Sequence, residues 1–176
     1  MHALDLVRPS TLRASMNILA IDPGKHVLGY AVLNETGVVN AGLISTHIKS
    51  PDGLRWLDLG RRLSNALVGC EPFDILAVEK MQVYVRNGAR GAADLIDLQA
   101  VAGACVMAVS SRLPSNVRIL TPTAQEWKGQ VPREVTLNRM LERYGKNLNV
   151  SWPKARHTQA DVAAALALGE WAQQKS

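Results

Sequence analysis

Three acidic residues stand out because each lies at the edge of a separate apolar segment. Asp22 ends one apolar run and precedes a Pro-Gly turn, Glu79 ends a second run, and Asp161 lies near the start of a late alanine-rich segment. Bringing three carboxylates together is costly unless a cation lies between them. Carboxylate oxygens are the ligands that magnesium prefers. The three acids therefore predict a magnesium site.

Each acid also has a purely structural interpretation. Asp22 would stabilise the Pro-Gly turn, Glu79 would be a solvated strand end, and Asp161 would interact favourably with the positive end of a helix dipole. From the residues alone, all three alternatives stay open beside the metal site.

The elements that must position these acids follow from the hydrophobic pattern. Strands are expected at about 17–22, 27–33 and 38–46, and their short connecting turns indicate an antiparallel meander. Pro51-Asp52-Gly53 is expected to open a helix that runs to about Val68, before the strand that ends at Glu79. A helical crossover of this kind makes the fourth strand parallel to its neighbour.

The second half of the chain alternates between helices and one further strand. A loop is expected at 80–91, a buried helix at about 92–111, a strand at 117–120, a helix at 132–144 with Pro132 as its first residue, and a last helix at about 158–173. Asp161 would then lie close to the start of the last helix.

Length and composition bound the class of protein. With 176 residues, of which 47% are hydrophobic, a single domain at 16–176 is expected, preceded by a disordered extension at 1–15. The net charge of +5 suits a polyanionic partner. Cys70 and Cys105 lack metal-site spacing and are expected to be packing thiols in a reducing, cytoplasmic setting. No apolar stretch is expected to reach transmembrane length, so no membrane partner is predicted.

Four segments together resemble the RuvC-type Holliday junction resolvases of the RNase H-like superfamily, in order and in spacing from Met16 onward. They are Ile18-Leu19-Ala20-Ile21-Asp22-Pro23-Gly24, Gly29-Tyr30, Leu76-Ala77-Val78-Glu79-Lys80 and Gln159-Ala160-Asp161-Val162-Ala163-Ala164-Ala165-Leu166-Ala167. The resemblance implies an α/β, RNase H-like fold, in which a mixed five-stranded sheet carries helices on both faces.

The implied activity is metal-dependent hydrolysis of DNA phosphodiesters at four-way junctions. Two Mg²⁺ ions per active site, with Mn²⁺ as a substitute, would be held by Asp22 between them and by Glu79 and Asp161 on the flanks. The chain departs from the family pattern because Ala164 stands where a fourth acidic ligand is expected. His157, four residues before Asp161, is the candidate for that role, and an exposed loop histidine is the alternative.

The resemblance also implies a set of DNA-binding residues. Tyr84 is the candidate aromatic residue that inserts into the junction, with a packed core tyrosine as the alternative. Basic candidates for phosphate contacts are Lys80, Arg86, Arg90, Lys128 and Arg133.

Several other functions and one assembly state are weighed beside this one. Sugar-kinase-like and actin-like proteins share the opening strand and Asp-x-Gly, but they need about twice this length, so no nucleotide cofactor is predicted. An RNA-processing nuclease of the same superfamily and a junction-binding protein without catalysis stay open. Paired incision of a two-fold symmetric junction predicts a homodimer, with the helix at about 92–111 at its interface.

Overall fold

The computed structural model describes residues 16–46, 52–70, 72–81 and 88–176, so the predicted extension at 1–15 lies outside the described residues. The elements in chain order are β1 (Ile18–Asp22), β2 (Val27–Asn34), β3 (Gly37–Ser45), α1 (Asp52–Ala66), β4 (Ile75–Val78), α2 (Gly88–Val109), a 3-10 turn (Ser110–Arg112), β5 (Arg118–Leu120), α3 (Ala124–Lys128), α4 (Arg133–Tyr144) and α5 (Arg156–Gln173).

The five strands form one mixed sheet in the order β3-β2-β1-β4-β5. β1, β2 and β3 pair antiparallel through short turns, whereas β4 pairs parallel with both β1 and β5. The predicted meander and the parallel fourth strand are therefore confirmed. The geometry follows from the connections, because a short turn returns the chain antiparallel and a helical crossover returns it parallel.

Alternation along β1 distributes its side chains between two cores. Leu19 and Ile21 pack with the buried leucines of α1 and the apolar side of α2, while Ile18 and Ala20 face α5. Successive strand residues point to opposite faces, so each face of the sheet receives its own helical layer. Helices on both faces, as the resemblance implies, are confirmed.

Three predicted boundaries are wrong by a few residues. Pro132 precedes α4 as its cap, with φ −60° and ψ 147°, so the helix begins at Arg133. α2 begins at Gly88 and shortens the predicted loop. α5 begins at Arg156, because the backbone N–H of Gln159 already donates to the Ala155 carbonyl 3.0 Å away, and the Thr158 hydroxyl donates to the same carbonyl instead of capping a later start. Asp161 therefore lies in the second turn of α5.

Within this chain the apolar half of α2, predicted to be a core or interface helix, is covered on one side only. One side packs on α1, where a Cβ added to Gly60 would lie 3.0 Å from the Ala104 carbonyl oxygen. The opposite side is open, with Ile96 69% and Met107 73% exposed. The expectation that no segment reaches transmembrane length also needs correction. By length and composition alone, Asp94–Arg112 could cross a membrane. One helix of this kind among the described residues is weak evidence for a membrane span, because core helices of soluble proteins meet the same criterion.

The two cysteines are unpaired, as the spacing predicts. Cys105 is fully buried in α2, where burial raises the pKa of its thiol to about 12, and Cys70 is half-buried. A thiol with so high a pKa stays protonated and acts as a small apolar side chain.

Candidate active site at the carboxyl ends of β1 and β4

Asp22 and Glu79 are neighbours at one edge of the sheet. β1 and β4 run parallel with Ile21 opposite Val78, and the backbone N–H of Glu79 donates to the Ile21 carbonyl 3.1 Å away. By alternation, both acids lie on the sheet face that α5 covers, as Ala20 does. Parallel pairing in this register therefore places the two residues side by side at the carboxyl ends of β1 and β4.

Asp161 is brought to the same place by a close contact between a helix and a strand. Gly29 is the antiparallel partner of Asp22 in β2, and a Cβ added to Gly29 would lie 2.1 Å from the backbone oxygen of Asp161. Only a residue without a side chain lets this turn of α5 rest on the strand pair. Gly29 is thus a positioning residue for Asp161, a role that its place in the motif alone did not reveal.

The charges at this edge act strongly on Asp22, which is half-buried. Burial raises the pKa of the Asp22 carboxyl well above its ordinary value, and the negative charges of Glu79 and Asp161 raise it further. Lys128 and Arg133 act in the opposite direction. Three carboxylates with only partial compensation by protein cations form a region of concentrated negative potential, which a bound cation would stabilise.

The side chains of two of the acids are engaged within the protein. Asp161 forms an ion pair with Arg133, and the indole N–H of Trp127 donates to Glu79 Oε2 2.8 Å away. In these positions, no three Asp, Glu, His or Cys side chains of the described ranges converge on one ion. The hard oxygen donors and the negative potential still fit a divalent cation, provided that Asp161 leaves Arg133 and turns toward Asp22.

His157 lies one helical turn before Asp161 and is exposed. Burial raises the pKa of the Asp161 carboxyl, while Arg133 and, in its protonated form, the nearby imidazole of His157 act to lower it. The imidazole is therefore near enough to act on Asp161 electrostatically, while its role as a ligand stays a prediction. Ala164, at the family's usual ligand position, is 9% exposed and packs inside the protein.

The predicted DNA-binding residues fall into separate groups. Tyr84 and Arg86 lie outside the described residues, and the side chain of Arg90 does too, although its backbone belongs to α2. Lys80 is exposed and lines a cavity on the α2 side of the sheet, away from Asp22, as strand alternation predicts.

Lys128 and Arg133 lie at the acids and not on a distant surface. The ammonium of Lys128 is 5.0 Å from the ring centre of Trp127, so both residues of this pair border the site. Trp127 packs beside Ala77, as is usual for a tryptophan, and it also holds Glu79. No local sequence pattern indicates this second role.

Comparisons with known proteins agree with this geometry. A curated relative, the crossover junction endodeoxyribonuclease RuvC of Synechococcus sp. (strain WH7803), is 34% identical over 73 residues, which cover 39% of this chain and 47% of the relative. The match thus spans about half of the relative's length. No family model matches the chain.

Two solved structures are similar over most of their length. RuvC of T. thermophilus in complex with a Holliday junction substrate has a TM-score of 0.64 at 17% identity, covering 92% of this chain and 96% of that one. The yeast mitochondrial Holliday junction resolvase has a TM-score of 0.53 at 11% identity, covering 91% and 81%. At these identities the match concerns the fold. This chain therefore has the fold of these enzymes over nearly its whole length, and it is similar in sequence to a RuvC over part of it.

Proposed function

We propose that this chain is a metal-dependent endonuclease that resolves Holliday junctions by paired hydrolysis of phosphodiesters. The observation that carries the proposal is the placement of Asp22, Glu79 and Asp161 at one edge of the sheet, where Ile21 pairs with Val78 and the backbone of Asp161 rests on Gly29, the partner of Asp22. The structurally similar RuvC of T. thermophilus is in complex with a Holliday junction substrate, which supports branched DNA as the substrate class.

Each acid has a distinct task in this proposal. Asp22, at the centre of the sheet edge, would bridge two divalent cations, Mg²⁺ with Mn²⁺ as a substitute, and Glu79 and Asp161 would each hold one flank. Bound there, the cations would activate a water and stabilise the leaving oxygen of the phosphodiester. Trp127 would fix the orientation of Glu79 through its indole N–H, and His157 would supply a fourth ligand or act beside the attacking water.

The basic residues around the acids would hold the DNA backbone. Lys128 and Arg133 lie within electrostatic reach of Asp22 and are candidates for contacts with the scissile phosphate. Lys80, Tyr84, Arg86 and Arg90 remain the other proposed contacts with the junction. Because DNA binding of this kind releases counter-ions, its affinity should fall steeply with salt. The chain would act inside the cell, where its DNA is.

We also propose that the protein works as a homodimer through the exposed side of α2. Ile96 and Met107 are exposed there, and an apolar helix face of this kind is stabilised when a second copy covers it. Met107→Glu should convert the dimer to a monomer in analytical ultracentrifugation. Leu148→Glu, at an exposed position far along the chain, is the matched control and should leave the dimer intact. A wild-type protein that stays monomeric on a junction would contradict the proposal.

The decisive experiment compares labelled four-way DNA with linear duplex DNA, with and without Mg²⁺. Paired cleavage of the junction should require the cation, and Asp22→Asn should abolish cleavage while junction binding persists. Glu35→Gln, an exposed acid in the turn between β2 and β3, should cleave like the wild type. Preferential cleavage of structured RNA would favour an RNA-processing nuclease. A protein that binds junctions but whose Asp22→Asn variant behaves identically would be a binding protein without catalysis.

A further inference from the structure

Asp161, a proposed metal ligand, is engaged by a cation of the protein. One guanidinium nitrogen of Arg133, Nη2, donates to Asp161 Oδ1 and also to the backbone carbonyl of His157 2.9 Å away. The carboxylate side chain is 19% exposed and that of Arg133 is 59% exposed. The shared nitrogen thus ties Asp161 to the preceding turn of its own helix and points its carboxylate at Arg133.

Contacts of neighbouring residues fix the backbone position of Arg133. The adjacent residue of α4, Glu134, accepts from Arg156 Nε at 2.8 Å, and Arg156 Nη2 donates to the side chain of Asn138 2.8 Å away. These contacts join the first turns of α4 and α5, so the Cα of Arg133 is held beside the turn that carries Asp161. The flexible remainder of the Arg133 side chain can then move while its base stays fixed.

The positive charge of Arg133 reaches a second acid of the site. It acts favourably on the ionised form of Asp22 as well as on that of Asp161. A guanidinium that compensates two of three clustered carboxylates does part of what a divalent cation would do there. The Arg133 guanidinium and a divalent cation would not both lie beside these carboxylates, because like charges at such distances repel.

We infer that Arg133 is a built-in counter-ion for the metal-free site, and that it must leave Asp161 before this carboxylate can ligate a divalent cation. The inference rests on the proposed metal site. Metal affinity is then set by competition, since each binding event breaks the pair between Arg133 and Asp161.

Release of Arg133 has a consequence for the substrate. Its guanidinium carries five N–H donors in a planar fork that suits a phosphate, and it is already more than half exposed at the edge of the site. Once free, the same group is available to the DNA backbone. Binding of a cation by the acids would thus make Arg133 available to bind a phosphate of the DNA.

A titration with Mn²⁺ alone, followed by electron paramagnetic resonance in the absence of DNA, tests the competition. Arg133→Gln should bind Mn²⁺ about threefold to tenfold more tightly than the wild type, the range expected for loss of a partly exposed, charge-assisted pair. Arg139→Gln removes an exposed arginine from the same helix and should match the wild type. Asp22→Asn should bind Mn²⁺ weakly, both alone and in combination with Arg133→Gln. Circular dichroism should show that every variant is folded.

A second measurement follows the arginine itself. In the wild type, Mg²⁺ should shift the side-chain N–H resonance of Arg133 toward that of a free arginine, with a midpoint equal to the dissociation constant. Equal Mn²⁺ affinity of Arg133→Gln and wild type, or weaker binding by the variant, would refute the inference and leave the proposed function standing. Strong metal binding without junction cleavage would refute the proposed function alone. Absence of binding in every variant would overturn both.

Discussion

Gly29→Ala should damage both stability and activity, because the strand position opposite Asp22 has no room for a methyl group. A Cβ there would lie 2.1 Å from the Asp161 backbone oxygen and 2.5 Å from its carbonyl carbon, whereas ordinary contacts begin at 3.4 Å. The contact is with backbone on both sides, so no rotamer change can relieve it. α5 would have to move away from β2 by roughly 1 Å, about the difference between those distances.

The substitution should lower both the stability of the protein and its rate of cleavage. Overpacking in a close-packed interior typically costs about 1–3 kcal/mol. For a domain of this size each kcal/mol lowers the melting temperature by roughly 2–4 °C, so Gly29→Ala should melt about 2–12 °C below the wild type. A displacement of roughly 1 Å at a reacting group can cost about 100-fold in rate. Junction cleavage should therefore fall by about that factor at temperatures where the variant is still folded.

Two other glycines provide matched controls, measured by differential scanning calorimetry and single-turnover cleavage. Gly53→Ala lies at an exposed position in the first turn of α1, where a Cβ meets nothing within 4 Å among the described residues, and should match the wild type or gain roughly a few tenths of a kcal/mol from helix propensity. At Gly169 the Cβ would be 2.2 Å from Leu33 Cδ1, the end of a side chain that can rotate, so its cost should be smaller than at Gly29. A Gly29→Ala protein as stable and active as the wild type would refute the close approach of α5.

Three further predictions concern named side chains. Because the raised pKa of Asp22 means that the fold disfavours its charge, stability should fall as pH rises from the unfolded value of about 3.9 through the folded pKa. Metal-free Asp22→Asn should thus melt above the wild type at pH 7.5, with no difference at pH 3; a lower melting temperature at pH 7.5 would contradict this. Trp127→Phe keeps the packing but removes the donor to Glu79, and single-turnover cleavage should slow roughly 10-fold to 100-fold with junction affinity unchanged. Weaker junction binding instead would make Trp127 a DNA contact. Asp58, buried and bonded to two arginines, has a lowered pKa and stabilises the fold above about pH 3.9, a contribution that is lost as pH falls through the folded pKa. Asp58→Asn should cost roughly 1–2 kcal/mol at pH 7 in urea titrations, with a flatter acid limb, and an unchanged midpoint would exclude this role.

The antiparallel meander and the parallel fourth strand could be predicted from the sequence, because short turns and a helical crossover set the direction of each strand. Strand alternation puts Asp22 on the face opposite Ile21, and the helical crossover makes β4 parallel, so Glu79 arrives beside Asp22. The first residues of α4 and α5 were harder to predict from the sequence. Pro132 and Thr158 each allow two positions at a helix start, and the choice depends on hydrogen bonds that local sequence does not fix.

The sequence by itself predicted which groups would carry the proposed chemistry, namely three carboxylates at the edges of apolar segments within a basic chain. The tertiary structure decided their partners. Arg133 and Asp161 are separated by 28 residues, and Trp127 and Glu79 by 48, so only the packing of helices against the sheet brings either pair together. The same holds for α2, which is apolar all round in its second half but is covered on one side. Periodicity reports which residues share a face, whereas the crossing of distant elements decides what that face meets.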